Sequence, residues 1–291
     1  MTYSLYLGDR SYSSWSLRAW LICDVFGLPV SSHYIDFHAA TVAEQLAELS
    51  PARTVPTLKT PEGAVISESL AIAEELATRF PDASLWPSNP KARAIARGLA
   101  SEMHAGFAAL RTDCPMNLRA AYKNVTASEE VIADLRRIEL IWKAAQDATG
   151  GPWLCGQYSI ADAFYAPVAM RIAGYGLPVN DEARAYVEQH LNHLPFRRWR
   201  AMGLVQGDTL PWYRRKYDLV GWPGPKPLAA KAIAGGDKCI NTLCPYSGDP
   251  VEDFLEIDGK VYGFCNPFCR DKTVADPEAW PDFISILEFT R

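Results

Sequence analysis

Residues 3–80 change hydrophobic period several times, and these changes limit the fold more than any single motif does. An apolar run, "YSLYL" (3–7), gives way to helical periodicity from Ser14 to Phe26, which stops at "GLP". "SSHYIDF" (31–37) alternates as a strand, and "TVAEQLAEL" (41–49) has the pattern of a short helix. Two more strands, "VPTLKT" and "AVIS", are joined by "PEG", whose Pro-Gly pair suits a tight turn. A helix over "SESLAIAEELATRF" ends the pattern, with Ser67 or Ser69 at its start. Strands separated by a helix pair in parallel and strands joined by a tight turn form a hairpin. The expected unit is therefore β-α-β-α-β-β-α over residues 1–80.

After the Pro-rich stretch "PDASLWPSNP" only the helical period remains, over 88–111, 127–149 and 159–177. The last of these is apolar nearly all round, which marks a helix buried in a bundle. It opens with Ser159-x-x-Asp162, a capping-box variant with Asp in place of Glu or Gln, and it contains Pro167. Residues 88–217 thus form an all-helical domain. A Pro-, Gly- and Ala-rich linker over 218–237 then leads to a segment at 238–291 too small to hold itself together without a staple.

That segment holds most of the cysteines. Of seven in the 291-residue chain, Cys23, Cys114 and Cys155 are scattered, while Cys239, Cys244, Cys265 and Cys269 lie close together. The opening "MTYSLYLGDR" has no basic stretch before a long apolar one, so a cytoplasmic protein is expected. In that setting clustered cysteines read as metal ligands before they read as disulfides. A net charge of −5 with no Lys/Arg run argues against nucleic acid as a partner. No uncharged apolar run approaches the roughly 20 residues of a membrane span, so no membrane partner is expected.

Four motifs, in order, resemble the cytosolic glutathione S-transferase family over residues 1–217. "YSSWSLRAWL" resembles the serine-type active-site turn of the zeta and related bacterial classes, and "SPARTVPTL" the segment leading to the family's cis-proline. "ISESLAIAEEL" resembles the glutathione-binding turn, and "SIADAF" the buried capping-box helix. The resemblance implies a thioredoxin-like α/β N-terminal domain followed by an all-α C-terminal domain, with glutathione as cosubstrate and a homodimer. It also implies that a serine hydroxyl, from Ser13 with Ser14 next in line, donates to the glutathione sulfur while another serine caps the helix. A hydroxyl donor and a helix N-terminus both favour the thiolate over a free thiol of pKa about 8.5.

The remaining site residues follow from the same resemblance. A cis Val55–Pro56 bond would present the Val55 backbone to a tripeptide; from the residues alone Pro56 reads as an ordinary trans turn. Glu68 can accept from the γ-glutamyl ammonium, and Ser69 at a helix N-terminus can bind its carboxylate; a plain N-cap pair is the alternative. Arg53 either meets the glycyl carboxylate or is a solvated surface arginine. Trp15 replaces the cysteine usual in zeta-type motifs, which disfavours dithiol chemistry and places an indole against glutathione and the second substrate. Arg18 backs the turn. Arg171 and Tyr175 share a helix face and either bind an acidic or carbonyl-bearing electrophile or pack the domain interface, with Met103, His104 and Phe107 as weaker candidates. Gly174 stands where the maleylacetoacetate isomerase subgroup has an arginine.

The tail resembles the YHS domain, a small metal-associated module related to TRASH-type segments, through "CPYSGDPV", the hairpin "FLEIDGKVYGFC" and "ADPEAW". Asp258-Gly259 is a strong type I′ turn signal. The hairpin would bring Cys244 near Cys265 and Cys269, and thiolates suit zinc. Cys239 is the natural fourth ligand, though its spacing to Cys244 leaves room for water or another chain. The expected activity is a glutathione transferase attacking a small-molecule electrophile. The alternatives are a glutathione-dependent isomerase and a non-catalytic glutathione- and metal-binding protein.

Overall fold

The structure is a computed structural model that describes residues 2–235 and 238–289. β1 (Tyr3–Leu7), α1 (Ser14–Val25) and β2 (Val30–Tyr34) form a parallel β-α-β unit, with Tyr3 opposite Val30 and Leu7 opposite Tyr34. The expected second helix is shorter than its pattern. α2 covers only Val42–Gln45, held by a Thr41–Glu44 capping box, and a 3₁₀ turn follows at Ala47–Leu49. β3 (Thr57–Lys59) runs antiparallel to β1, and β4 (Val65–Ile66) antiparallel to β3. The sheet order is β2-β1-β3-β4, and α3 (Ser69–Arg79) completes the thioredoxin-like domain.

The helical region starts with α4 (Pro90–Ala105), capped by the Asn89 side chain, which accepts from Lys91 N and Ala92 N. The single helix expected over 88–111 is broken at Gly106 and Phe107, the latter with φ +57°, and resumes as α5 (Ala108–Asp113). β5 (Ala121–Lys123), α6 (Glu129–Thr149), α7 (Ile160–Tyr175), α8 (Asp181–Asn192) and α9 (Leu194–Val205) follow. β6 (Asp218–Val220) returns to pair with β5, so this region contains one small antiparallel ribbon among its helices. β7 (Lys231–Ile233), β8 (Asp253–Ile257) and β9 (Lys260–Phe264) form a three-stranded sheet, followed by α10 (Pro267–Ala275) and α11 (Pro281–Phe289). Two strands thus lie within the stretch read as a linker, whose residues 236–237 are outside the described residues, as are 290–291 of the tail.

The chain divides into two compact units, one of residues 1–191 and 209–223, the other of 192–208 and 224–291. α9 therefore belongs with the tail. Within that second unit Arg197 makes a two-pronged ion pair with Asp276, at 2.9 and 2.7 Å, and Arg198 donates to Ala279 O. Tyr262, Phe264, Phe283 and Leu287 form its apolar centre.

Asp162 at the start of α7 shows what the "SIADAF" segment does physically. Its buried carboxylate accepts from Leu154 N, Ser159 N, Ser159 Oγ and Tyr186 Oη, at 2.9 to 3.2 Å. Burial pushes the carboxyl up to about 6, against the pull of those donors. Asp162→Ala leaves buried donors without a partner. It is expected to cost about 2 kcal/mol, lowering Tm by roughly 4–8 °C in a thermal melt.

Candidate functional site

The turn after β1 is fixed before any ligand is considered. Gly8 N donates to Ser16 Oγ at 3.0 Å, tying the strand end to α1. A Cβ at Gly8 would run into the Phe37 ring and Val55 Cγ2, so only glycine fits. Asp9 accepts from Ser11 N at 2.7 Å and closes the loop.

α1 then begins with Ser13 as N-cap. Ser13 Oγ accepts from Ser16 N at 3.3 Å and lies 2.8 Å from Ser16 Oγ. The neighbouring Ser14 is half-buried and accepts from Arg171 Nη2 at 3.4 Å, a long hydrogen bond. Arginine only donates, so the Ser14 proton remains free to point elsewhere. Ser13 therefore caps α1, and Ser14 keeps a hydroxyl proton of its own to donate.

Both serines line a cavity of about 830 Å³, within the range of small-molecule sites. Trp15, Arg53, Val55, Pro56, Glu68, Ser69 and Arg171 line it too. The Val55–Pro56 peptide is cis, as is Ser50–Pro51. Glu68 is the N-cap of α3 and makes no capping bond of its own, so the first N–H groups of that helix remain available to an anion. Ser69 Oγ is buried beside them with no hydrogen-bond partner among the described residues.

Two arginines stack on Trp15, and a third, Arg171, bonds the neighbouring Ser14. Arg18 is fully buried with its guanidinium 4.4 Å over the indole and 5.0 Å over Phe164, so it packs behind Trp15. Arg111 lies 4.8 Å over the same indole. Arg171 is held by Cys114 O at 2.9 Å and Pro167 O at 3.1 Å. Burial, helped by Arg111, lowers Arg171 to about 10; burial and both neighbours lower Arg18 well below the usual guanidinium range. No carboxylate pairs with any of the three among the described residues.

Other candidates lie elsewhere. Tyr175 does not reach the cavity: its hydroxyl donates to Pro115 O at 2.9 Å and its ring packs on Tyr122, so it is a packing residue. Met103 and Phe107 are buried off the cavity wall, whereas His104 lines it, edge-on to Trp15. Gly174 does not line it. The sequence reading missed Arg111, Phe37 and Tyr213, which also line it. Arg111 follows the break at Gly106, and only that glycine signalled a change in helix direction. Burial pushes Cys23 up to about 12, leaving an inert thiol.

Residues 12–79 match the family model described as glutathione S-transferase, N-terminal domain. The family match is confined to this stretch. A Caenorhabditis elegans protein named probable maleylacetoacetate isomerase is 29% identical over 162 residues, 54% of this chain and 70% of that protein. A glutathione transferase homologue from Burkholderia gl BGR1, solved with glutathione, matches with TM-score 0.55 and 23% identity over 71% of this chain and all of that one. Omega 3C glutathione transferase from Trametes versicolor gives TM-score 0.54 and 18% identity over 72% of this chain and 91% of that one. The architecture is the glutathione transferase fold, and the matches together support a glutathione transferase-type enzyme. No described helix is long and apolar enough to cross a membrane.

The second unit holds a separate cluster. The Sγ atoms of Cys244, Cys265 and Cys269 lie within 4.8 Å of one another. The hairpin that gathers them has the expected turn, with φ +50° at Asp258 and +75° at Gly259, and pairs Ile257 with Lys260. Ser247 Oγ and Asn266 Nδ2 donate to Cys265 Sγ at 3.3 and 3.2 Å. Burial raises Cys269, while hydrogen bonds from the Cys265, Tyr246 and Ser247 backbone outweigh burial and lower Cys244. Cys239 stands apart, with its thiol on Asn241 O at 3.1 Å.

Proposed function

We propose that the chain is a serine-type glutathione transferase in which Ser14, oriented by Arg171, donates to the glutathione sulfur. What supports this most is that one cavity gathers Ser14, Val55, the uncapped start of α3 and the unpartnered Ser69 hydroxyl. The γ-glutamyl carboxylate meets Ser69 and the α3 N–H groups, its ammonium meets Glu68, and Arg53 takes the glycyl carboxylate. The thiol then lies by Ser14 and the start of α1, where hydroxyl and helix dipole both favour thiolate. The sulfur attacks an electrophilic carbon, forming the S–C bond as the leaving group departs with its electron pair. Retention on immobilised glutathione and turnover of a generic aryl halide test this reading; Ser69→Ala is expected to weaken retention about tenfold, or 1.4 kcal/mol. Absence of any glutathione binding sinks it and favours a non-catalytic protein.

A glutathione-dependent isomerase is the second reading, favoured by the name of the C. elegans relative and by Arg111 and Arg171 on the cavity wall. The same thiolate would add and later leave, so product would form with no net consumption of glutathione. For a carboxylate-bearing substrate of either reaction, Arg171→Met is expected to raise KM about tenfold. A neutral electrophile should not register the change in KM.

The tail we read as a YHS-like zinc module. Three clustered thiols, two of them buried, suit a borderline ion, and donors to Cys265 and Cys244 match what thiolate ligands need. Purified chain is expected to carry close to one zinc, read by elemental analysis. A homodimer and a reducing, cytoplasmic setting belong to the same reading, the latter suiting seven free cysteines; light scattering checks the first.

A further inference from the structure

Structural zinc sites are closed by four protein ligands, whereas sites that exchange a ligand keep one position open. Among the described residues the tail offers three thiols and no fourth His, Cys, Asp or Glu atom in the same cluster. The obvious fourth ligand is excluded by the backbone. Cys239 bridges in parallel to Val261, with Ile240 N donating to Val261 O at 2.9 Å. Cys265 lies four residues further along the same chain, roughly 13 Å of strand at the rise of extended backbone. A tetrahedral ion with Zn–S bonds of about 2.3 Å cannot span that gap. The Cys239 thiol is also turned to Asn241 O.

The missing position has a direction. Cys244 and Cys269 are buried, Cys265 is half-buried, and the two side chains that donate to Cys265, Ser247 and Asn266, are exposed. The protein supplies three corners of the site, and the half-buried Cys265 with its two exposed donors marks the side from which a fourth ligand can reach it. Three soft ligands already on the ion favour a fourth soft one over water, and a small thiol can enter where a protein side chain does not.

We propose that the tail is an open tris-thiolate zinc site whose fourth ligand is the thiolate of a separate glutathione molecule. The choice of glutathione rests on the cosubstrate reading above; the open position does not. Binding releases the thiol proton to solvent and forms a Zn–S bond with no change of oxidation state.

Cobalt(II) substituted into the full chain reads this directly, because its thiolate charge-transfer absorption grows with each sulfur ligand. Glutathione is expected to raise that absorption in the ratio of four thiolates to three, S-methylglutathione to leave it unchanged, and Cys239→Ser to behave like the parent chain. A four-thiolate spectrum without added thiol overturns the proposal, whether Cys239→Ser abolishes it or it grows with protein concentration as a partner's thiol would. A spectrum that glutathione does not alter also overturns it, and so does failure to bind cobalt. If 2-mercaptoethanol raises the absorption and glutathione does not, the assignment to glutathione falls. Calorimetric binding of S-methylglutathione to metal-free protein reads the Ser14 cavity by itself, so its failure removes the cosubstrate reading whatever the cobalt spectrum shows.

Discussion

Cys265→Ser is expected to strip the zinc and melt the tail while glutathione turnover survives. The loss is large because zinc held by thiolates contributes on the order of 10 kcal/mol to the fold that binds it, comparable to the whole stability of an ordinary domain. Apart from the ion, the second unit is held by an apolar centre that includes Phe196, Trp199, Leu255, Ile257, Tyr262, Phe264, Trp280 and Phe283. Without the ion, two buried thiols and a half-buried one lie within 4.8 Å of one another with nothing to bind. Hydrogen exchange should show protection lost over β8, β9 and α10 and kept over α1 and α7. Parent-like protection in metal-free protein would mean the apolar centre alone holds the hairpin. Turnover lost along with the metal would mean the two units do not act separately.

The second large effect concerns the serines. Ser14→Ala is expected to lower turnover about a hundredfold, ~2.7 kcal/mol of transition-state stabilisation, with glutathione affinity little changed. The thiol pKa of bound glutathione should rise with it, visible as lost thiolate absorbance. Ser13→Ala should instead cost about 1 kcal/mol of stability, the usual loss for an N-cap, with turnover largely kept. These two variants separate roles that spacing leaves ambiguous. If Ser13→Ala cripples turnover and Ser14→Ala is silent, the donor is Ser13 and the proton on its oxygen points to sulfur rather than to Ser16.

What the sequence revealed depended on how local the cause was. The Asp258-Gly259 turn, the Ser159–Asp162 box and the strand–helix alternation through α3 are each set by a few neighbouring residues, and each appears in the structure. The serines were visible as a group, but the bond that sets Ser14 apart from Ser13 comes from Arg171, 157 residues away. The β5–β6 ribbon is too short and too polar at Lys123 and Asp218 to show a period of two. Tyr175 was placed on the right helix face in the wrong surroundings, because periodicity does not say whether a neighbour is a cavity or a carbonyl. Cys239 was grouped by proximity in sequence and separated by strand register.

The way the chain is shared between its two units has a consequence for inheritance. Residues 192–208 leave the first unit, supply α9 to the second, and return before the chain crosses again at 224. The cysteine-bearing segment is therefore not a cassette that recombination can append to an existing transferase at one splice point. A graft that works would have to carry α9 with it, because Arg197 and Arg198 grip Asp276 and Ala279 O. Relatives that lack the tail should differ at those two arginines, and a natural truncation after residue 223 would leave both without the groups they hold.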